Sequence, residues 1–331
     1  MQKMILCGER EMQPPDLIDV YKAQKIVYKY LKKTPLLKSL YLSRVLDCEV
    51  YVKCENLQPI GAFKIRGGLN LISNLSHDER ERGVITASTG NHGQSIAYAS
   101  HLFGVKAIIG MPKDANPLKA DAIRALGAEV ALHGKDFDEA KDWVESEAKR
   151  VGYRYIHSGN EPFLISGVGT LFLEIIEEVP DIDTIIIPVG GGSSASAGCI
   201  VSKSINPDIE VIGVQSEGAP AVYRSWKSGK WMTNESIETF AEGLATRAPF
   251  ELTLQIMREK LDDMILVTEE EIKKAILTML EATHLLAEGA GAASTAAAFK
   301  IKDKLRNKKV ALILSGGNLT LDQLADIINQ K

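Results

Sequence analysis

The chain has 331 residues, 45% hydrophobic and 25% charged, with a formal net charge of -4. That is an ordinary globular composition with room for two domains, and its scattered basic residues leave no nucleic-acid footprint. No apolar stretch approaches membrane-spanning length, and the run Met4-Ile5-Leu6-Cys7 is too short for a signal peptide.

Asp16 is placed to cap a helix running to about residue 33, with Leu17, Val20, Val27, Tyr30 and Leu31 on one side. Pro35 stops it, because the residue before a proline avoids the helical region. Residues 39–46 read as a short helix, and residues 49–54 alternate like a strand. The octet Gly61-Ala62-Phe63-Lys64-Ile65-Arg66-Gly67-Gly68 follows and leads into a helix ending near residue 75. It sets one lysine between glycines, with a ring before it, a second cation two residues on and no carboxylate. Arg66 and the apolar neighbours are expected to push the lysine pKa down. A neutral amine attacks a carbonyl, and an ammonium does not.

A rhythm then begins. Strands are expected over residues 84–88, 106–111, 129–133 and 153–157, separated by helices over 91–103, 117–126 and 136–151. A second series places strands at 184–188, 210–215, 264–267 and 309–314. Its helices fall at 166–179, 194–204, 220–228, 250–260, 269–286, 290–302 and 321–329. Alternation of this kind predicts an α/β protein with two open, mainly parallel sheets flanked by helices. The four cysteines, Cys7, Cys48, Cys54 and Cys199, match no zinc or redox-pair spacing. Free thiols and a cytoplasmic location are therefore expected.

Three unusual loops follow three strands, where open α/β sheets bind ligands. They are Ser88-Thr89-Gly90-Asn91-His92-Gly93, Gly190-Gly191-Gly192-Ser193-Ser194 and Ser315-Gly316-Gly317-Asn318. The three glycines let backbone N–H groups turn inward just where a helix begins, which favours a phosphate. Ser193 and Ser194 add hydroxyl donors. Asn91 offers an amide to a ring hydroxyl or a carboxylate. Ser88, Thr89 and the backbone at Gly90, Asn91 and His92 are candidates to hold a substrate carboxylate. The His92 ring itself reads as a packed or capping group. Ser315 is a candidate donor to an aromatic nitrogen. An amine at Lys64, a phosphate cradle and a ring-nitrogen donor together describe pyridoxal 5′-phosphate, held by Lys64 as a Schiff base.

These motifs, with Ala241-Glu242-Gly243, occur in the order found in the threonine dehydratase and serine racemase family. The chain resembles that β-family (fold type II, the tryptophan synthase β-subunit-like fold) over nearly its whole length. The resemblance implies a large domain (1–75 and 158–331) that carries the cofactor. It also implies a small inserted α/β domain (76–157). It implies that Phe63 packs against the ring, that Asn91 bonds the ring hydroxyl, and that Gly243 and Glu288 lie near the cofactor. A homodimer or homotetramer is expected. Some members bind a divalent cation through an acid where this chain has Gln215, with Ala221 and Glu217 nearby, so no metal site is expected. The C-terminal regulatory domain of the biosynthetic enzymes is expected to be lacking. Thr89 stands where racemases often carry a serine, and its methyl and stiffer χ1 count against racemisation.

The activity implied is β-elimination from L-threonine or L-serine, a lyase reaction giving a 2-oxo acid and ammonia. Lys64 would be general base, and the donor to the leaving hydroxyl is the cofactor phosphate or Thr89. Competing readings are dehydration of 3-hydroxyaspartate or another hydroxyamino acid, serine racemisation, or a pyridoxal-phosphate-binding protein without turnover.

Overall fold

The computed structural model describes residues 13–330, so Cys7 and the N-terminal apolar run lie outside the described residues. Cys48, Cys54 and Cys199 are buried free thiols. A capping box between Asp16 and Asp19 starts α1 (Leu17–Tyr30). Next come β1 (Leu36–Lys38), α2 (Leu40–Leu46), β2 (Glu49–Cys54) and α3 (Lys64–Ser73). The following segment carries α4 (His77–Arg82), β3 (Val84–Ala87), α5 (Asn91–Leu102), β4 (Ala107–Met111) and α6 (Pro117–Ala125). It ends with β5 (Glu129–Leu132), α7 (Phe137–Val151) and β6 (Arg154–Tyr155). Beyond it lie α8 (Pro162–Glu178), β7 (Thr184–Pro188), α9 (Ser193–Ile205), β8 (Glu210–Ser216) and α10 (Ala221–Ser228). They are followed by α11 (Glu251–Lys260), β9 (Asp263–Val267), α12 (Glu269–Thr283) and α13 (Gly289–Lys300). The chain closes with α14 (Lys302–Leu305), β10 (Lys309–Leu314) and α15 (Leu321–Asn329).

Six strands form one sheet in the order β1-β2-β10-β7-β8-β9, and four form another in the order β5-β4-β3-β6. All pairings are parallel except β1 with β2. Every residue of β7 is buried, as expected of a parallel strand covered on both faces. Its side chains alternate between two cores. Ile185 and Ile187 pack with α8 and α9, whereas Ile186 packs with α12 and α13.

Some boundaries differ from the sequence reading. Strand β1 is three residues long and gains its identity only by pairing with β2. Helix α4 buries none of its side chains, so hydrophobic periodicity gives no sign of it; a Ser76–Glu79 capping box starts it. Helix α8 begins at Pro162, not at residue 166, because proline suits the first helical position. Helix α12 stops at Thr283, where His284 turns left-handed with φ 59°.

Helix α3 is the best-anchored element. Gly67 and Gly167 let α3 and α8 touch backbone to backbone: a Cβ on Gly167 would lie 2.5 Å from the Arg66 carbonyl oxygen. A Cβ on Gly68 would meet the Ser95 hydroxyl of α5 at 2.3 Å. The glycines around Lys64 thus serve close helix crossing, and the stretch is no mobile loop. Arg66 points into a buried ionic cluster and uses all five guanidinium donors. Its Nε and Nη2 donate to Glu55 at 2.8 Å each. Nη1 and Nη2 donate to Glu174 at 2.7 and 3.0 Å, and Nη1 also reaches Thr170 at 3.0 Å. Lys53 donates to Glu174 at 2.6 Å and to the Thr34 carbonyl at 2.7 Å. Two cations thus face two carboxylates, all four buried.

Removing one member leaves an uncompensated buried charge. Glu174→Ala should lower unfolding stability by about 3–5 kcal/mol, read from urea denaturation at neutral pH.

Candidate active site

Strand order brings the loops together. β10 lies between β2 and β7, so the segments leaving their carboxyl ends are neighbours. β2 leads to Lys64, β10 to Ser315 and β7 to Gly190. An isolated bridge between Ala62 and Gly316, and a 3.0 Å bond from Phe63 N–H to the Ser315 carbonyl, fasten two of them.

Lys64 is the first residue of α3, and its Nζ donates to Ser193 Oγ at 3.0 Å, across 129 residues of sequence. The amine stands 5.2 Å from the centre of the Phe63 ring. Burial alone pushes its pKa down to about 8. The expected help from Arg66 is absent, because Arg66 is spent on Glu55 and Glu174.

The glycine loop is shaped by close approach. A Cβ on Gly190 would lie 2.1 Å from the Gly243 carbonyl oxygen, and one on Gly191 would lie 2.1 Å from the Phe250 ring. Gly192 has φ +88°, a left-handed conformation that side chains rarely adopt. Ser193 opens α9, and Ser194 Oγ is buried with no hydrogen-bond partner. An orphaned hydroxyl beside free helix N–H groups is a site that wants an anion.

At the other side of the cleft, Ser88 has a structural task. Its hydroxyl accepts the N–H groups of Gly90 and Gly93 at 3.2 and 2.9 Å, so it braces the loop from within. Thr89 and Gly90 lie half-buried at the loop tip. His92 is buried with Nε2 3.0 Å from Thr86 Oγ1. That hydroxyl gives its proton to the Ile156 carbonyl at 2.8 Å, so Nε2 must carry the imidazole hydrogen. Burial holds His92 well below its usual pKa, in keeping with a packed group. Asn91 donates to Glu288 Oε1 at 2.7 Å and accepts from Asn318 Nδ2 at 2.7 Å. Burial raises Glu288 to about 7, and the nearby Glu242 adds to the shift. Ser315 is buried.

Three participants escaped the sequence reading as site residues. Asn318 ends the Ser315-Gly316-Gly317-Asn318 motif, but its contact with Asn91 spans 227 positions. Lys119 on α6 grips both carboxylate oxygens of Glu242, joining the four-stranded layer to the segment beside Gly190. Only the Ala241-Glu242-Gly243 motif hinted at that pair. Gln215 is buried at the end of β8, where its Oε1 accepts the Tyr223 N–H at 2.8 Å. Among the described residues, no group of three histidine, cysteine or acidic side chains is placed to hold a metal ion. No helix among them is long and apolar enough to cross a membrane.

The family model described as pyridoxal-phosphate dependent enzyme matches residues 27–316. The chain belongs to the pyridoxal-phosphate dependent enzymes. It is 42% identical over 314 residues to an L-threonine ammonia-lyase of Thermotoga maritima, covering 95% of this chain and 78% of that protein. It superposes on the processed form of threonine deaminase isoform 2 from Solanum lycopersicum with a TM-score of 0.89, at 33% identity over 99% of each chain. Serine racemase from Dictyostelium discoideum gives a TM-score of 0.87 and 39% identity, covering 93% of this chain and 99% of that one.

The residues present fit the family's cofactor. The glycine cradle, the orphaned Ser194 hydroxyl and the Lys64 amine beside Ser193 lie together, as a phosphate and an aldehyde on one small molecule require.

Two outcomes are expected. Gly190→Ala drives a methyl into a backbone oxygen, so pyridoxal phosphate retention should weaken roughly tenfold or more, by equilibrium dialysis. In the cofactor-free protein, acetic anhydride labelling of Lys64 should rise with a midpoint near pH 8, against about 10.4 for an unperturbed lysine. The folded pKa lies below the unfolded one. The neutral amine therefore favours the fold at high pH, and that contribution is lost as pH falls through about 8.

Proposed function

We propose that the protein is a pyridoxal-phosphate-dependent ammonia-lyase that dehydrates L-threonine and L-serine. The observation that carries this reading is a lysine amine, with its pKa lowered, 3.0 Å from a serine of the phosphate-type loop. The names of the relatives at 33–42% identity point to the same class.

Phe63, Lys64, Asn91, Gly190, Gly191, Gly192, Ser193, Ser194, Gly243, Glu288 and Ser315 are the residues proposed to hold the cofactor. When bound, it supplies an aldehyde that takes the substrate amine and a ring that withdraws electrons from Cα. The N–H groups of the glycine loop and the hydroxyls of Ser193 and Ser194 hold its phosphate. Ser315 would offer the ring nitrogen a neutral hydroxyl, which favours the unprotonated nitrogen. Ser88, Thr89 and the backbone amides at Gly90, Asn91 and His92 receive the substrate carboxylate, and the Ser88 hydroxyl also keeps that loop in shape. Lys64 would take the Cα proton as general base, and the β-hydroxyl would leave as water with a proton supplied by the cofactor phosphate or by Thr89. The enamine released becomes an imine and hydrolyses to a 2-oxo acid and ammonia. Residues 1–75 with 158–331 act as the cofactor domain and residues 76–157 as a small domain. Ion pairs such as Lys119–Glu242 and Arg247–Asp138 tie the two. We also place the enzyme in the cytoplasm as a homo-oligomer.

With pyridoxal phosphate added, L-threonine should yield 2-oxobutanoate and ammonia in equal amounts, and L-serine pyruvate and ammonia. Lys64→Ala should abolish both products and the borohydride-trapped cofactor adduct. Full turnover by that variant would overturn the assignment. Recovered serine should remain L on chiral chromatography; accumulation of D-serine faster than pyruvate would favour a racemase.

A further inference from the structure

The amide of Asn91 sits in a hydrogen-bond chain whose direction is dictated from one end. The chain starts at the Ile60 carbonyl, which accepts from Asn318 Nδ2 at 2.9 Å. A carbonyl oxygen only accepts, so the end of the Asn318 amide that faces it must be the NH2 group. The same NH2 group donates to Asn91 at 2.7 Å, which uses both its hydrogens. Asn91 must therefore turn its oxygen toward Asn318. Its own NH2 group then faces Glu288 Oε1 at 2.7 Å, and Glu288 is held as an acceptor. One amide hydrogen of Asn91 goes to Glu288 and the second is left over.

The surroundings allow little slack. Gly61 has φ +69°, and a Cβ there would stand 2.6 Å from Asn318 Oδ1. A Cβ on Gly316 would stand 2.4 Å from Glu288 Oε1. Glu288 N–H bonds the Gly316 carbonyl at 3.0 Å, and Gly317 N–H bonds the Gly61 carbonyl at 2.9 Å. Four segments distant in sequence thus lock the three side chains into one arrangement.

We infer that Asn318 is a positioning residue for the reaction: by reading the Ile60 carbonyl, it sets the sense of the Asn91 amide, so that Asn91 turns a donor toward the cofactor's ring oxygen. This rests on the reading of the site as a pyridoxal phosphate centre. The chemistry gives the choice weight. A phenolic ring oxygen carrying negative charge is stabilised by an N–H and repelled by an amide oxygen. A flipped Asn91 would fill the same volume and reverse the interaction.

The test compares binding of pyridoxal phosphate with that of its 3-deoxy analogue, which lacks the ring hydroxyl, by equilibrium dialysis. The wild-type protein should prefer the natural cofactor by about tenfold. Asn318→Asp replaces the donor with a second acceptor and should erase most of that preference, while Asn318→Ala, which only frees Asn91, should erase part of it. Binding of the deoxy analogue should stay within about twofold in both. With L-threonine, kcat should fall about tenfold with KM changed less than about twofold. A purely structural role would instead lower both affinities together. Unchanged preference in either variant that keeps its far-ultraviolet circular dichroism overturns the proposal, as does a wild-type protein that binds both cofactors equally. A wild-type protein that binds neither overturns the pyridoxal phosphate reading itself, and with it this one.

Discussion

Arg66 and its two carboxylates are the constraint from which the site follows. A guanidinium without solvent is tolerated only when its donors are matched, and here all five are. Glu55 follows β2, Glu174 lies on α8 and Arg66 lies on α3, so the cluster rivets three elements at one point. Lys64 is two residues away on the same helix. Its backbone is further fastened by Ser95, whose hydroxyl donates to the Lys64 carbonyl at 2.6 Å. The amine is thus delivered by a rigid mount. Such a mount suits a group that must hold a small molecule in one orientation.

The division of labour between Lys64 and Arg66 also explains the electrostatics. Close in sequence, they face different environments. Arg66 enters a matched ionic cluster that keeps it charged, and Lys64 enters a space with no carboxylate partner, where burial favours the neutral amine. Across the cleft, burial pushes Glu288 toward its neutral form and holds His92 neutral. For Lys64, Glu288 and His92 alike, burial shifts the balance toward the neutral form.

Glycine has two distinct uses in this fold. Gly67 and Gly167 bring helices to backbone contact, and Gly190 and Gly191 make room for a carbonyl and an aromatic ring. In each case the missing side chain is a steric requirement of the neighbour. The phosphate-type loop is therefore shaped partly by Gly243 and Phe250, which lie more than fifty positions away. The Lys119–Glu242 pair reaches the same segment from the four-stranded layer, so its position is tied to the rest of the cleft.

What the sequence determined by itself was local or periodic. Alternating apolar runs specified the parallel strands, and glycine loops after β3, β7 and β10 marked the strand ends where ligands bind. Lys64 stood out because it is a lone lysine set between glycines, with no carboxylate in the same stretch to keep it charged. Tertiary structure alone decided which partner each polar group takes. Strand order put β10 between β2 and β7, and no local preference encodes that order. It turned Arg66 away from Lys64, made Ser88 an internal brace and joined Asn318, Asn91 and Glu288 across separations of 227 and 197 residues. A hydrogen bond depends on distance and direction in space, and neither is readable along a chain until the sheets fix where its segments meet.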